Sequence, residues 1–286
     1  MRRSVSRRHF LAGAAAGVGG LMVAPKVFAQ SSGLLEKLRA AQTIKIAIPD
    51  NPPYSFITAS GEVDGLAPSL IKTVMAKLGV PKVEGIIAPY GQVIPGLQAG
   101  RWDIIGACLS MSKQRCEQVL YADPVIREGG VFIYIPADVP EPPKSVADLS
   151  KMGLTVTMAK GSYVLQKCLD AGVPSDKILQ VPELTAEVDA IKAKRAQIAY
   201  TTYYGALAKK AADPSLELVY PLPDDAPRGS SIAFRTADAD LHKAFQDEFR
   251  AMKKSGEFTA LAEKFGLAPT EGMLDITAEK ECAAAA

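Results

Sequence analysis

Three residue groups in this chain have types and spacings suited to holding a small molecule. The first is "LSMSKQRC", Leu109 to Cys116. Ser112 suits the N-cap of a helix, and Arg115 in the first turn has the wrong sign for the helix dipole. An anion would compensate that placement: a guanidinium near backbone N–H groups and the hydroxyls of Ser110 and Ser112 could grip a carboxylate by two parallel hydrogen bonds. The same residues also fit a surface arginine paired with Glu117 or with water. The second group, Lys160-Gly161-Ser162-Tyr163, follows the strand-like "TVTMA". Gly161 would let the backbone approach a ligand, and Ser162 could cap the next helix while donating to an oxygen. The third, Thr201-Thr202-Tyr203, is rich in hydroxyls. Both also fit ordinary turns between a strand and a helix.

Tyr54, Phe56 and Tyr90 follow prolines in loops, where rings can sandwich an apolar or cationic ligand or simply pack a loop on a sheet. No catalytic constellation competes. There is no G-x-S-x-G nucleophile turn, no P-loop and no G-x-G-x-x-G after a strand. Acids such as Glu183 stand alone. With only His9 and His242, and with Cys108, Cys116, Cys168 and Cys282 far apart, neither a metal site nor a cofactor is expected. The cysteines read as buried or free thiols, although an oxidising compartment would permit disulfides.

The elements that must position these residues alternate. "TIKIAI" (43–48) reads as a strand ending in a proline-rich loop, and "PSLIKTVMAKLG" (68–79) as a helix stopped by Gly79. A short helix and a buried strand at 102–107 follow, then a helix begun by Ser112. "AEVDAIKAKRAQIAYT" repeats that helix–strand layout 94 residues later, with Arg195 over Arg101 and Ile198 over Ile104. The repeat suggests two α/β lobes built alike, with mostly parallel sheets and helices on both faces. The Pro- and Gly-rich breaks at 124–143 and 220–235 read as crossings between them, and the C-terminal "EKECAAAA" as a fraying tail.

The first 29 residues, basic and then Gly/Ala-rich, read as an export signal cut near Ala29. Paired Arg7-Arg8 ahead of a weakly hydrophobic run resemble a twin-arginine signal, which implies a periplasmic location. Losing Arg2, Arg3, Arg7, Arg8 and Lys26 turns the formal net charge from +2 to −3. No basic stripe remains to suggest nucleic acid.

The order and spacing of "PYSF…GEVDGLAPSLIKTVMAKLG", "IPGLQAGRWDIIGACLSMSKQRCEQVLYADP" and "KKSGEFTALAEKFG" make Thr43 to Gly266 resemble family 3 extracellular solute-binding proteins, the periplasmic receptors of polar amino acid ABC importers. The resemblance implies an α/β, two-lobed periplasmic binding protein fold of type II with two hinge-crossing segments. The corresponding organisation is a signal at 1–29, lobe 1 at 30–125 and 230–270, lobe 2 at 126–229 with hinges at its ends, and a tail at 271–286. It also implies a monomeric, non-enzymatic receptor that encloses a small carboxylate-bearing ligand and docks on the membrane subunits of an ABC permease.

In this family the arginine of an S/T-x-x-R turn holds the ligand carboxylate, and that position is Arg115. The ectoine/hydroxyectoine receptors share the "EG…YG.VIPGLQAGR.D" run and box a delocalised cation with aromatics, here Tyr54 and Tyr90. Asn51 stands where that subgroup has glutamate, with Asp50 beside it as a candidate substitute, and Ser110 stands where it has an aromatic. The aspartate that amino acid receptors use for the α-ammonium falls on Thr202. The implied ligand is an amino acid or ectoine-like carboxylate with a muted, delocalised or absent cation, caged by Gly161, Ser162 and Thr202 when the lobes close. Two rival readings are an exported lyase on the same fold, resembling cyclohexadienyl dehydratases, which would need a pocket acid such as Glu183 or Asp50, and a periplasmic sensor module reporting to a membrane kinase.

Overall fold

The structure is a computed structural model that describes residues 33–269 and 272–285. The expected export signal lies outside the described residues. The chain begins with α1 (Leu34–Ala41), β1 (Thr43–Ile48), a hairpin of β2 (Phe56–Ile57) and β3 (Val63–Asp64), α2 (Leu66–Lys77), β4 (Lys82–Ile87), α3 (Val93–Gln98) and β5 (Ile104–Ser110). The single turn α4 (Lys113–Cys116), β6 (Leu120–Tyr121) and β7 (Ile126–Glu128) lead to a second run of elements. That run is β8 (Gly130–Tyr134), α5 (Val146–Met152), β9 (Val156–Ala159), α6 (Val164–Asp170), β10 (Ile178–Val181), α7 (Ala186–Lys192), β11 (Ile198–Thr202), α8 (Tyr203–Ala212) and β12 (Glu217–Val219). The chain closes with β13 (Arg228–Phe234), α9 (Ala239–Ser255), α10 (Glu257–Glu263) and α11 (Ala278–Ala284).

Two larger sheets result, with strand orders β4-β1-β5-β13-β6 and β10-β9-β11-β8-β12. They are built alike: β1 and β9 are each flanked by two parallel neighbours, and β5 and β11 each carry an antiparallel strand on their far side. The expectation of mostly parallel sheets needs correction, because β13 and β8 enter from the crossings and can only run back against β5 and β11. Helices do cover both faces, and the strand alternation shows why. Ile46, Ile104 and Phe234 pack into one buried cluster with α2 and α9, while Ala47, Ile105 and Ala233 pack into another with α3. In α9, Leu241, Phe245, Phe249 and Met252 recur at helical spacing and are all fully buried.

Local signals moved some boundaries. Helix α2 starts at Leu66 rather than Pro68, because Gly65 adopts φ +112° and frees the chain to turn there; Pro68 is tolerated inside the first helical turn. A Cβ at Gly65 would lie 2.7 Å from the Tyr54 carbonyl, the group that accepts the amide of Ala67 at 3.0 Å. The start of α2 therefore fixes Tyr54.

The tail does not fray within the described residues. Its helix α11 is capped by Thr277, and Cys282 is disulfide-bonded to Cys116 in α4, which corrects the reading of all four cysteines as free or buried thiols; Cys108 and Cys168 are free. The buried Glu281 accepts the amide of Gly229 at 2.6 Å and Arg127 Nε at 2.7 Å, so one carboxylate ties β13 to β7. The Ala278 amide donates to Asp123 at 3.1 Å. Sequence spacing could not reveal this pairing, because the partners lie 166 residues apart. For a loop of that length the chain-entropy model assigns a disulfide about 5 kcal/mol. Reduction, or Cys116→Ser with Cys282→Ser, is expected to lower the thermal unfolding midpoint and to expose 272–285 to protease first. Unchanged melting and cleavage would show that the strap contributes nothing.

Candidate functional site

Ser112 caps α4 as expected, its hydroxyl accepting the Arg115 amide at 3.4 Å. The Arg115 side chain does not reach out to Glu117. It is only 7% exposed and folds back beneath the end of β5. Its Nη1 donates to the Ser110 carbonyl at 2.7 Å and to the Tyr90 hydroxyl at 3.4 Å, and its Nη2 donates to the Gly161 carbonyl at 2.8 Å. Its guanidinium carbon lies 5.4 Å from the centre of the Tyr90 ring. Among the described residues no carboxylate comes within ion-pair distance of it. A full positive charge is thus buried against neutral oxygens.

This guanidinium lies where the two sheets' loops meet. Ser110 and Tyr90 belong to the first sheet's side, and Gly161 belongs to the turn between β9 and α6. A Cβ on Gly161 would lie 2.7 Å from Gly91 Cα, and one on Gly91 would lie 2.9 Å from the Lys160 carbonyl. Only glycines allow this backbone-to-backbone approach, and Gly161 also needs its φ of +81°.

Tyr54 makes a second bridge. Its hydroxyl donates to Glu128, 2.7 Å from each carboxylate oxygen, while its oxygen receives the Gly205 amide at 3.1 Å and lies 3.2 Å from Thr202 Oγ1. Glu128, in the first crossing, is 4% exposed and also accepts the Tyr204 amide at 3.0 Å. Sequence reasoning passed over it. Its only signal was an acid next to Gly129-Gly130 in a segment already read as a crossing.

The structure brings Arg115, Ser110, Tyr90 and Gly161 together at one bridge, and Tyr54, Thr202 and Asn51 at the other. Gly205 is the pivot of the second group, since a Cβ there would meet Asn51 Oδ1 and Thr202 Oγ1, each at 3.3 Å. Two roles change. Ser110 serves Arg115 through its carbonyl, while its hydroxyl accepts from Ser230 at 3.3 Å. Ser162 does not cap α6, whose N-cap is Tyr163 with no side-chain bond. Asp50 is exposed and Glu183 half-buried, so neither replaces Glu128 as the enclosed acid. Among the described residues no cluster of histidines, cysteines and acids could hold a metal, and no helix is long and apolar enough to cross a membrane.

A third cluster was also missed. Asp225 in the second crossing accepts the hydroxyls of Tyr200 at 2.7 Å and Tyr163 at 3.1 Å, and the Gly130 amide at 3.0 Å, so it joins the second crossing to the first. Arg228 donates to it at 2.7 Å, an i,i+3 pair visible in "DDAPRG" once that segment is taken as structured.

Burial raises the Glu128 pKa from its ordinary 4.5 to about 7, against the amide and Tyr54 hydrogen bonds that favour its charge. The folded protein therefore holds this proton more tightly than the unfolded chain, and the stability it contributes is full below about pH 4.5 and lost as pH rises through about 7. Between about pH 5 and pH 8 the unfolding midpoint of wild type should fall relative to that of Glu128→Gln, whose amide oxygen keeps an acceptor for Tyr54 and Tyr204. Parallel pH profiles would contradict the buried-acid assignment.

Comparison with known proteins places this geometry in context. Residues 44–268 match the model of bacterial extracellular solute-binding proteins, family 3. A probable amino-acid ABC transporter periplasmic-binding protein of Sinorhizobium fredii is 29% identical over 248 residues, covering 82% of this chain and 80% of that protein. The crystal structure of EhuB in complex with hydroxyectoine superposes with a TM-score of 0.81 at 33% identity, covering 87% of this chain and 98% of EhuB. An ancestral amino acid-binding protein described as a precursor of cyclohexadienyl dehydratase shares the fold, with a TM-score of 0.71 at 23% identity, over 81% of this chain and 99% of its own. The chain, two sheets joined by paired crossings with an arginine at their junction, belongs to the bacterial extracellular solute-binding proteins of family 3.

Proposed function

We propose that this protein is the periplasmic receptor of an ABC importer, and that its two sheets, as two lobes, close on a small polar solute bearing a carboxylate, amino acid or ectoine-like. The observation that carries the reading is the buried Arg115, which spends its bonds on neutral oxygens from both sides of the cleft and pairs with no acid among the described residues. A carboxylate in place of the Gly161 carbonyl would give that charge its counter-ion, and the contacts made only on closure would select the closed form. Tyr54 and Tyr90 supply the aromatic walls, Ser110 the arginine's support, and Asn51, Gly161, Ser162 and Thr202 the remaining polar edge. The lobes are residues 30–125 with 230–270 and residues 126–229, and the tail after 271 acts as a strap on the first. Membrane permease subunits are the partners, with the receptor acting as a monomer exported through a twin-arginine signal.

The lyase reading requires an enclosed acid free to move a proton. Asp50 and Glu183 are not enclosed, and Glu128 is engaged by Tyr54 and the Tyr204 amide. The protein is accordingly read as a binding protein without catalytic residues, and incubation with prephenate should yield no phenylpyruvate absorbance.

The test of the receptor reading is calorimetric titration with hydroxyectoine and a panel of amino acids and small carboxylates. Whichever solute binds wild type should bind Arg115→Ala at least tenfold more weakly, the loss of a charge-assisted bond of about 1.5–3 kcal/mol. Equal affinity would remove Arg115 from the site.

A further inference from the structure

The segment that carries Arg115 is held from outside itself. Helix α4 is a single turn, Lys113–Cys116, and one turn does not persist without tertiary contacts. Both of its flanks lead to α11. Directly after Arg115, Cys116 is disulfide-bonded to Cys282. Directly before the Ser112 cap, the Met111 amide donates to the Gly229 carbonyl at 2.8 Å, and the Gly229 amide donates to Glu281 at 2.6 Å. Residues 111–116 are thus clamped at both ends by two adjacent residues of one helix.

Helix α11 is itself anchored. Its cap Thr277 accepts the Lys280 amide at 3.3 Å, and its Ala278 amide donates to Asp123 at 3.1 Å. Ala278 joins the buried cluster of Tyr90, Leu109, Met111 and Val119, against which Cys116 and Cys282 also pack. Gly229 permits the approach, since a Cβ there would lie 2.9 Å from Glu281 Cγ and 2.9 Å from Pro124 Cγ. On the receptor reading, a solute carboxylate displaces the bond from Arg115 to Gly161. The Ser110 and Tyr90 bonds and the backbone clamp then remain to hold the guanidinium.

We propose that Glu281 and Cys282 are positioning residues for Arg115: acting through Gly229 and Met111 on one side and Cys116 on the other, they preset the guanidinium that receives the solute. The inference rests on the reading of Arg115 as the solute's arginine. It gives α11 a part in affinity as well as in stability.

A solute-free measurement comes first: nuclear magnetic resonance of protein carrying isotopically labelled arginine, with the Arg115 signals identified by their loss in Arg115→Lys. The resolved Nη–H signals of Arg115 should broaden in Cys116→Ser with Cys282→Ser and in Glu281→Ala. Those of Arg235, fixed to the Leu97 and Trp102 carbonyls, should stay. Hydroxyectoine, L-glutamine and L-arginine are then titrated calorimetrically where circular dichroism shows every variant folded. Whichever binds wild type should bind each α11 variant about threefold or more weakly, and the same changes made in Arg115→Ala should cost almost nothing further. A helix that only stabilised the fold would not show that loss of additivity. If the variants do not fold, folded wild type treated with dithiothreitol and then reoxidised should lose and regain its affinity. Arg115 signals alike in all proteins, affinity untouched in the α11 variants, or losses undiminished in Arg115→Ala would overturn the proposal. Affinities indifferent to Arg115→Ala, or no binding by wild type, would instead count against the solute reading, and the solute-free signals then decide whether α11 positions Arg115.

Discussion

A single buried guanidinium, satisfied among the described residues by neutral oxygens contributed from the sides of both sheets, is the constraint on which the rest of the structure depends. Neutral dipoles offset part of the cost of withdrawing a charge from water, and a carboxylate offsets far more. On the proposed receptor reading, the contact between Arg115 and Gly161 is one that an incoming acid would replace at a gain. Because Arg115 follows β5 of the first sheet and Gly161 follows β9 of the second, that replacement would couple occupancy of the proposed cleft to the relative position of its halves. The facing glycines Gly91 and Gly161 set the limit of approach, since any side chain there would hold the backbones apart.

Around this junction the crossings are braced three times. Strands β7 and β13 pair with each other, Glu128 opposite Arg228. Asp225 binds the Gly130 amide and the Tyr200 hydroxyl, joining the second crossing to the first and to the second sheet. Glu281 reaches back from the C-terminal helix to hold Gly229 and Arg127. The disulfide then ties that helix to α4, the turn that carries Arg115. Arg115, the crossings and the C-terminal helix form one connected set, so a change at any of them reaches Arg115 through covalent or hydrogen-bonded contacts rather than through diffuse packing.

Much of this was legible in the sequence. The alternation of strands and helices, the repeat that places Ile198 over Ile104, and the Ser112 cap are local signals, and each corresponds to an observed element. What escaped shares a different physics. The antiparallel strands β13 and β8 follow from where the chain re-enters each sheet, which no local periodicity encodes. Cys116 and Cys282 meet only after the whole fold has formed, and Glu281 looked like one acid in a low-complexity tail. Glu128 and Asp225 gain their significance from burial, which strands and helices advertise by pattern but crossings do not. The Ser110 position was found for its hydroxyl, whereas its carbonyl does the holding, because main-chain acceptors are invisible to residue type.

The most direct measurement is the identity of the solute that the protein retains when purified from exporting cells and then unfolded, read by mass spectrometry of the released fraction. The expected result is a small molecule bearing a carboxylic acid from wild type and none from Arg115→Gln. Release of a compound without an acid group, or an equal yield from the variant, would contradict the central role of the buried arginine.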